Sequence, residues 1–117
     1  MIKILLDTNF LVLPFELKVD IFSEFERIID EPFKVYTLST CLGEVKKVKP
    51  RLAVPVEKLL LLKNVEILKG TEKDVDKDIL KRENYFTATN DKLLKKGLKE
   101  QGKRVIFLRQ RKFLQII

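Results

Sequence analysis

Acidic residues follow or precede short apolar segments throughout this 117-residue chain. Asp7 comes directly after an apolar run, in LLDTN, and Asp91 follows another such run, in TATND. Glu44 lies in the middle of the chain, and a triplet of aspartates precedes the TATND segment: Asp74, Asp76 and Asp78. Clustered carboxylates repel one another unless a cation compensates them, and hard oxygen ligands select Mg²⁺ or Mn²⁺. The pattern therefore indicates a divalent-metal site, provided that the fold brings these side chains together.

Each acidic residue also has an ordinary structural explanation. Asp7 or Asp91, taken alone, is equally well explained as the cap of a turn or helix. Glu44 alone is explained as a solvated helix position, and the aspartate triplet as a favourable placement of charge at a helix N-terminus. Only the set as a whole argues for a metal site, since it would form an acidic pocket in an otherwise basic chain.

The composition limits the available chemistry. The chain contains no His and only one Cys, Cys41. These counts exclude Ser-His-Asp and Cys-His catalysis, His-ligated zinc and an intrachain disulfide. The formal net charge is +7, which predicts an anionic partner such as nucleic acid. Catalysis would therefore use carboxylates, hydroxyls, lysines or a metal ion held by oxygen atoms.

Short apolar runs alternate with segments of helical period, and this alternation predicts one α/β domain over 1–117 with a mainly parallel sheet. Strands are predicted at 2–6, 33–38, 65–68, 85–88 and 105–108. Helices are predicted to begin at Asp20, at Ser39 or Thr40, at Pro55, at Thr71, and at Asn90 or Asp91. Ligands of such sheets bind outside the carboxyl ends of the strands. Asp7 and Asp91 should therefore face the same crevice.

Three segments resemble the PIN-domain family, and together they extend the resemblance over essentially the whole chain. They are LLDTNFLV, LSTCLGEV and FTATNDKLLKKGLKEQGKRVIFLRQRK. The similarity is greatest to small archaeal PIN proteins related to ribosomal-RNA-processing nucleases. It implies a three-layer α/β fold, with a five-stranded parallel sheet in the order 3-2-1-4-5 between helices. It also implies a ribonuclease that depends on Mg²⁺ or Mn²⁺.

The resemblance assigns roles to residues by position. The catalytic set that it implies is Asp7, Glu44, Asp76 and Asp91. The third acidic residue of the family precedes an Ile/Leu pair, and the corresponding run here is VDKDIL. Spacing favours Asp76 as this metal ligand beside Asp7 and Asp91, with Asp78 as the alternative.

Hydroxyl and amide side chains flank the two acidic motifs. We expect them to support the carboxylates by hydrogen bonds, as residues next to metal ligands commonly do. They are Thr8, Asn9 and Thr89.

Basic residues are concentrated after Asp91. Four lysines fall at helical spacing on one broad face, which could follow a phosphate backbone without reading its sequence. The alternative is an ordinary solvated helix face. The predicted nucleic-acid contacts are Lys92, Lys95, Lys96, Lys99, Arg109, Arg111 and Lys112.

The leading hypothesis is thus a PIN-type ribonuclease acting on RNA, with ribosomal RNA processing as its role. One alternative is a non-catalytic PIN fold that binds RNA or a ribosome-assembly partner, and another is a toxin-type PIN ribonuclease. A phosphatase of the haloacid-dehalogenase type is disfavoured, because it needs Asp where the chain has Asn9.

The expected surroundings are the cytoplasm, without a membrane partner or a small-molecule cofactor. Asp7 interrupts the N-terminal apolar run, and the longest later run, Leu59–Leu62, is far shorter than the roughly 20 residues that span a bilayer. A homodimer is expected from the family alone.

Overall fold

The computed structural model describes all residues, 1–117, and contains six strands and six helices. The strands are β1 (Ile2–Leu6), β2 (Phe33–Leu38), β3 (Glu66–Leu68), β4 (Phe86–Ala88), β5 (Val105–Arg109) and β6 (Phe113–Ile116). The helices are α1 (Thr8–Glu16), α2 (Ile21–Ile28), α3 (Ser39–Val48), α4 (Pro50–Leu62), α5 (Val75–Lys81) and α6 (Lys92–Glu100).

All six strands form one sheet, in the order β3-β2-β1-β4-β5-β6. The first five strands of the chain run parallel, and β6 pairs antiparallel with β5. Leu6, the last residue of β1, pairs with Thr37 on one side and with Ala88 on the other. The carboxyl ends of these neighbouring strands therefore lie side by side, with Asp7 at the centre of the edge.

The centre of the sheet is almost entirely apolar. Ile4, Leu5 and Leu6 are completely buried, as expected for a strand covered on both faces. They belong to a single cluster of 28 buried hydrophobic residues. Burial of each large aliphatic side chain contributes about 1.5–3 kcal/mol, so this cluster rigidly supports the loop that follows β1. None of the helices has the length and apolar character needed to cross a bilayer.

The sheet has six strands, one more than the five that the sequence predicts. The order 3-2-1-4-5 is confirmed for the first five strands, but the chain then turns back and adds β6 beside β5. Gln110 and Arg111 make this turn with φ values of 55° and 57°. Two consecutive left-handed residues are typical of a hairpin turn, which usually contains Asn or Gly. The side of β6 away from β5 is tied to α2, where Glu24 accepts a hydrogen bond from the Leu114 amide and Arg27 donates one to its carbonyl.

Three helix expectations also need correction. Helix α1 was not expected, and Pro14 lies within it. Helix α4 begins at Pro50, so that Pro55 is inside the helix and not at its start. Helix α5 is capped by Asp74, whose side chain accepts from the amides of Asp76 and Lys77, and not by Thr71.

Candidate active site

Asp7 is held in place by the turn from β1 into α1. Its Oδ1 atom accepts from the Thr8 amide at 2.7 Å, and its Oδ2 atom accepts from Thr89 Oγ1 at 2.7 Å and Asn9 Nδ2 at 3.3 Å. The residue is 5% exposed. Burial raises the pKa of Asp7, against the lowering effect of the hydrogen bonds from Thr89 and Thr8, and nearby carboxylates raise it further. Asp7 is therefore both a helix cap and a buried carboxylate that a cation would stabilise.

The TATND segment connects β4 to the same place. The Thr89 hydroxyl donates to Asp7 and accepts from the Asp91 amide at 3.1 Å. Asn90 Oδ1 accepts from the Leu108 amide of β5 at 2.8 Å. Asp91 Oδ1 accepts from the Leu94 amide at 2.9 Å and so caps α6. The cap and the site explanations of Asp91 are thus compatible, because one oxygen caps the helix while the other has no hydrogen bond from the protein.

Glu44 lies about one turn and a half into α3, on the side that faces α1. The Thr8 hydroxyl donates to Glu44 Oε1 at 2.5 Å, which leaves Oε2 without a hydrogen bond from the protein. Thr8, Asn9 and Thr89 thus each donate a hydrogen bond to an acidic residue of the cleft, and their role as supports of metal ligands stays a prediction.

The two candidate aspartates of α5 have different surroundings. Asp76 is exposed and lines the same cleft as Asp7. Burial of its carboxyl group, followed by repulsion from Asp7 and Asp91, raises the pKa of Asp76 to about 6. Asp76 is thus the aspartate of α5 that lines the cleft with the other carboxylates.

Asp78 points into the interior on the other side of the helix. Its side chain is fully buried, and Oδ1 accepts from Arg82 Nε at 2.8 Å. Oδ2 accepts from the Thr71 amide at 2.7 Å, and the Thr71 hydroxyl donates to Oδ1 at 3.1 Å. Although burial opposes ionisation, the hydrogen bonds from Arg82 and Thr71 lower the pKa of Asp78. The structure therefore does not bring Asp78 to the cleft and gives it an ion-pairing role in the fold.

Four acidic residues from four separate segments meet in one cleft of about 390 Å³. They are Asp7, Glu44, Asp76 and Asp91. The cleft also contains two charged residues that the sequence did not single out, Glu16 and Lys49. No sequence motif marks these two, since their approach depends on how the α3–α4 junction packs across α1.

The donor set of the cleft fits Mg²⁺ or Mn²⁺ in chemical type, because it consists of oxygen atoms. Asn9 Oδ1 is buried beside Asp7 without a hydrogen-bond partner, and such an atom is an additional acceptor for a cation or its water. No three carboxylates form a ready-made group of ligands. Coordination would therefore require the exposed side chains of Asp76 and Asp91 to move toward Asp7, which is held by hydrogen bonds.

The predicted nucleic-acid contacts form two groups. Lys92, Lys95, Lys96 and Lys99 line one shallow groove along α6, together with Glu100 and Ile117. The Lys95 ammonium lies 4.8 Å from the centre of the Phe107 ring. Arg109, Arg111 and Lys112 are exposed in and beside the β5–β6 turn, and Arg109 donates to Gln115 at 2.8 Å.

Comparison with known proteins identifies the family of the chain. The family model described as a PIN-like domain matches residues 4–111, which is nearly the whole chain. The chain belongs to the PIN-domain family. It is 34% identical to Ribonuclease VapC4 of Methanocaldococcus jannaschii over 128 aligned positions, which cover 99% of this chain and 97% of the relative.

A solved PIN-domain structure confirms the fold. The PIN domain endonuclease Utp24 superimposes with a TM-score of 0.81, over 97% of this chain and 90% of that one. The two sequences are 21% identical. At this identity, the likeness concerns the fold of the chain.

Proposed function

We propose that this PIN-domain protein is a ribonuclease that hydrolyses RNA phosphodiester bonds with Mg²⁺ or Mn²⁺. The observation that carries the proposal is the convergence of Asp7, Glu44, Asp76 and Asp91 in one cleft at the sheet edge. The name of the relative, Ribonuclease VapC4, supports the choice of reaction. The chain contains no His, which is compatible with metal-assisted hydrolysis and excludes a ribonuclease mechanism that depends on His.

The residues of the cleft would divide the work. Asp7, Asp76 and Asp91 would hold the metal, with Asp7 fixed by its three hydrogen bonds and the other two supplying carboxylate oxygens from the rim. When bound, such an ion lowers the pKa of water and offsets the negative charge that develops at phosphorus. Glu44 would accept a proton from the attacking water through Oε2, while Thr8 fixes its orientation through Oε1.

The lysines of α6 would hold the RNA on the side of the cleaved bond toward which this helix extends. Because Asp91 of the cleft caps the N-terminus of α6, the basic face of this helix begins next to the acidic cleft. Contacts of this kind would give affinity that depends strongly on salt and weakly on base sequence.

Finer assignments are proposed on the sequence resemblance alone. They are ribosomal RNA processing as the role, the cytoplasm as the location and a homodimer as the assembly. Incubation with ribosomal RNA precursors and with unrelated RNAs of similar length tests the role, since a processing nuclease should cut the precursors at few positions. Cleavage of all RNAs alike, or arrest of growth on expression, would favour the toxin-type alternative.

The reaction itself is tested with purified protein and labelled single-stranded and structured RNA. Cleavage should require Mn²⁺ or Mg²⁺, stop with EDTA, and fall by at least about 100-fold in Asp7→Asn. Asn can still cap α1, so the variant should remain folded. RNA binding without metal-dependent cleavage would contradict the proposal and support the non-catalytic alternative.

A further inference from the structure

Lys49 is the single cation of a cleft that otherwise presents five carboxylates. Asp7, Glu16, Glu44, Asp76 and Asp91 supply the negative charge. A phosphodiester that enters such a cleft is repelled unless positive groups face it. The metal proposed above offsets part of this charge, and Lys49 is the one basic side chain of the protein that also lies there.

The backbone fixes Lys49 at the junction of α3 and α4. Its amide donates to the Val45 carbonyl at 2.8 Å, and its carbonyl accepts from the Leu52 amide at 2.9 Å. The residue lies between Val48, the last residue of α3, and Pro50, the first residue of α4. Backbone hydrogen bonds to α3 and to α4 therefore hold the main chain of Lys49 in place, while its side chain remains long and flexible.

Within the folded chain, the Lys49 ammonium is paired with the Glu16 carboxylate. Glu16 is the last residue of α1, where a negative charge is unfavourable to the helix dipole. The two side chains are 40% and 38% exposed, and ion pairs this exposed contribute little to stability. Neither the helix nor the fold thus requires this pair, since α1 already packs against α3 and α4 through apolar side chains.

We propose that Lys49 contacts a phosphate of the RNA substrate and that Glu16 holds its side chain ready in the absence of RNA. On binding, the ammonium exchanges the Glu16 carboxylate for a phosphate oxygen. A lysine suits this exchange because its ammonium is a point charge on a flexible stem and has no fixed bidentate geometry. This inference rests on the proposed ribonuclease function, because it assumes that RNA enters the cleft.

The test compares four variants in two assays. Lys49→Met removes the charge and keeps the apolar stem, Lys49→Arg keeps the charge, and Glu16→Gln breaks the pair but leaves Lys49. Lys47→Met is the matched control, because Lys47 is an exposed lysine of α3 that does not line the cleft. Binding of a fluorescent single-stranded RNA is measured by anisotropy with Ca²⁺, and kcat and KM are measured with Mn²⁺.

We expect Lys49→Met to weaken RNA binding by about tenfold or more, the effect of losing one charged hydrogen bond. The slope of log affinity against log salt should become shallower by about 0.7, the value for one phosphate contact to a single strand. KM should rise more than kcat falls, and Lys49→Arg should restore most of the affinity. Glu16→Gln should bind RNA at least as tightly as the wild type, and Lys47→Met should bind within about twofold.

Equal loss of affinity in Lys49→Met and Glu16→Gln would overturn the inference, because it would show that the ion pair is only structural. Equal behaviour of Lys49→Met and Lys47→Met would also overturn it. These outcomes are separable from failure of the proposed function. If the wild type binds RNA through Lys49 but never cuts it, hydrolysis is refuted and the contact stands. If the wild type cuts RNA and Lys49→Met does so equally well, the contact is refuted and hydrolysis stands.

Discussion

Asp76 and Asp78 are two residues apart on α5, and their substitution by Asn should change stability in opposite directions, while only Asp76→Asn should weaken metal binding. Asp76 is exposed in the acidic cleft, whereas Asp78 is fully buried against Arg82. Asn keeps the size of Asp and removes the charge, so each variant isolates the electrostatic contribution of one carboxylate.

For Asp78→Asn, the expected loss of stability is large because the positive charge of Arg82 would remain without its carboxylate partner. Arg82 is 17% exposed and would lose its carboxylate partner, although it would still donate to the Lys69 carbonyl at 2.8 Å. Breaking a buried pair from one side costs about 3–5 kcal/mol, and the remaining exposure of Arg82 places this case near about 3 kcal/mol. In a domain of this size, that loss lowers Tm by about 12 °C.

The pH dependence of this loss follows from the lowered pKa of Asp78. A carboxyl group whose pKa is lower in the folded than in the unfolded chain stabilises the fold above its unfolded value, about 3.9. This contribution disappears as the pH falls through the folded pKa. The difference in Tm between wild type and Asp78→Asn should therefore have its largest value near neutral pH and become smaller below about pH 4.

For Asp76→Asn, we expect a gain of stability in the metal-free protein. The pKa of Asp76 is raised to about 6, so the folded chain holds this proton more tightly than the unfolded chain does. At neutral pH the ionised carboxylate therefore destabilises the metal-free protein. Without screening, the shift would correspond to about 3 kcal/mol. Because Asp76 is exposed, solvent and salt reduce this, and we expect a gain of about 1 kcal/mol or less, which vanishes near pH 4.

The assay combines thermal unfolding in EDTA with Mn²⁺ titration by calorimetry, well below each Tm. Asp76→Asn should gain Tm in EDTA and bind Mn²⁺ at least about tenfold more weakly, because it loses a charged ligand. Asp78→Asn should lose Tm and bind Mn²⁺ within about threefold of the wild type. If folded Asp78→Asn fails to bind Mn²⁺ while Asp76→Asn binds it normally, the assignment of the two aspartates is wrong.

Three further predictions concern other parts of the molecule. Cys41 is fully buried, and burial raises the pKa of its thiol to about 11. The native protein should therefore react with an aromatic disulfide reagent far more slowly than the protein in denaturant. Rapid labelling of the native protein would show that the core opens. Gln110 has a φ of 55°, a value that favours Gly. Gln110→Gly should therefore stabilise the fold by up to about 1 kcal/mol, as measured by chemical denaturation. A loss of stability in this variant would show that the turn is unstrained. Lys95→Gln and Lys96→Gln should each make the salt dependence of RNA binding shallower by about 0.7. Only Lys95→Gln should also destabilise the fold, by about 0.5–1 kcal/mol, because its ammonium lies against Phe107; equal stability of the two variants would contradict this.

Much of the fold could be predicted because its signals are local. The run Ile2–Leu6 is apolar and central, and Asp20 caps α2 by accepting from the Ser23 amide at 3.1 Å. Helix α1 gave no such signal. Phe10, Leu11, Val12 and Leu13 are four consecutive buried residues, so the segment lacks helical periodicity, and Pro14 is unfavourable within a helix. Tertiary packing on both sides decides its conformation, and packing is not visible in a single sequence.

The candidate site was predicted in part, for a similar reason. The Asp-Thr-Asn and Thr-Asn-Asp segments are recognisable because each residue in them bonds to its neighbours or to the adjacent strand. The choice between Asp76 and Asp78 depends on which side of α5 faces the cleft. The i, i+4 spacing of Asp78 and Arg82 was the available local sign that Asp78 is engaged elsewhere. No comparable sign exists for Lys49, which reaches the cleft only through the packing of three helices.

The attachment of β6 to α2 affects how the sheet meets other protein molecules. A free edge strand offers unpaired amide and carbonyl groups to which another chain can add, and this is a common route to aggregation. Here the outward-facing amide and carbonyl of Leu114 are occupied by Glu24 and Arg27. At the opposite edge, β3 has only three residues and begins with the charged Glu66. Both margins of the sheet are thus poor templates for the addition of a strand from another protein molecule.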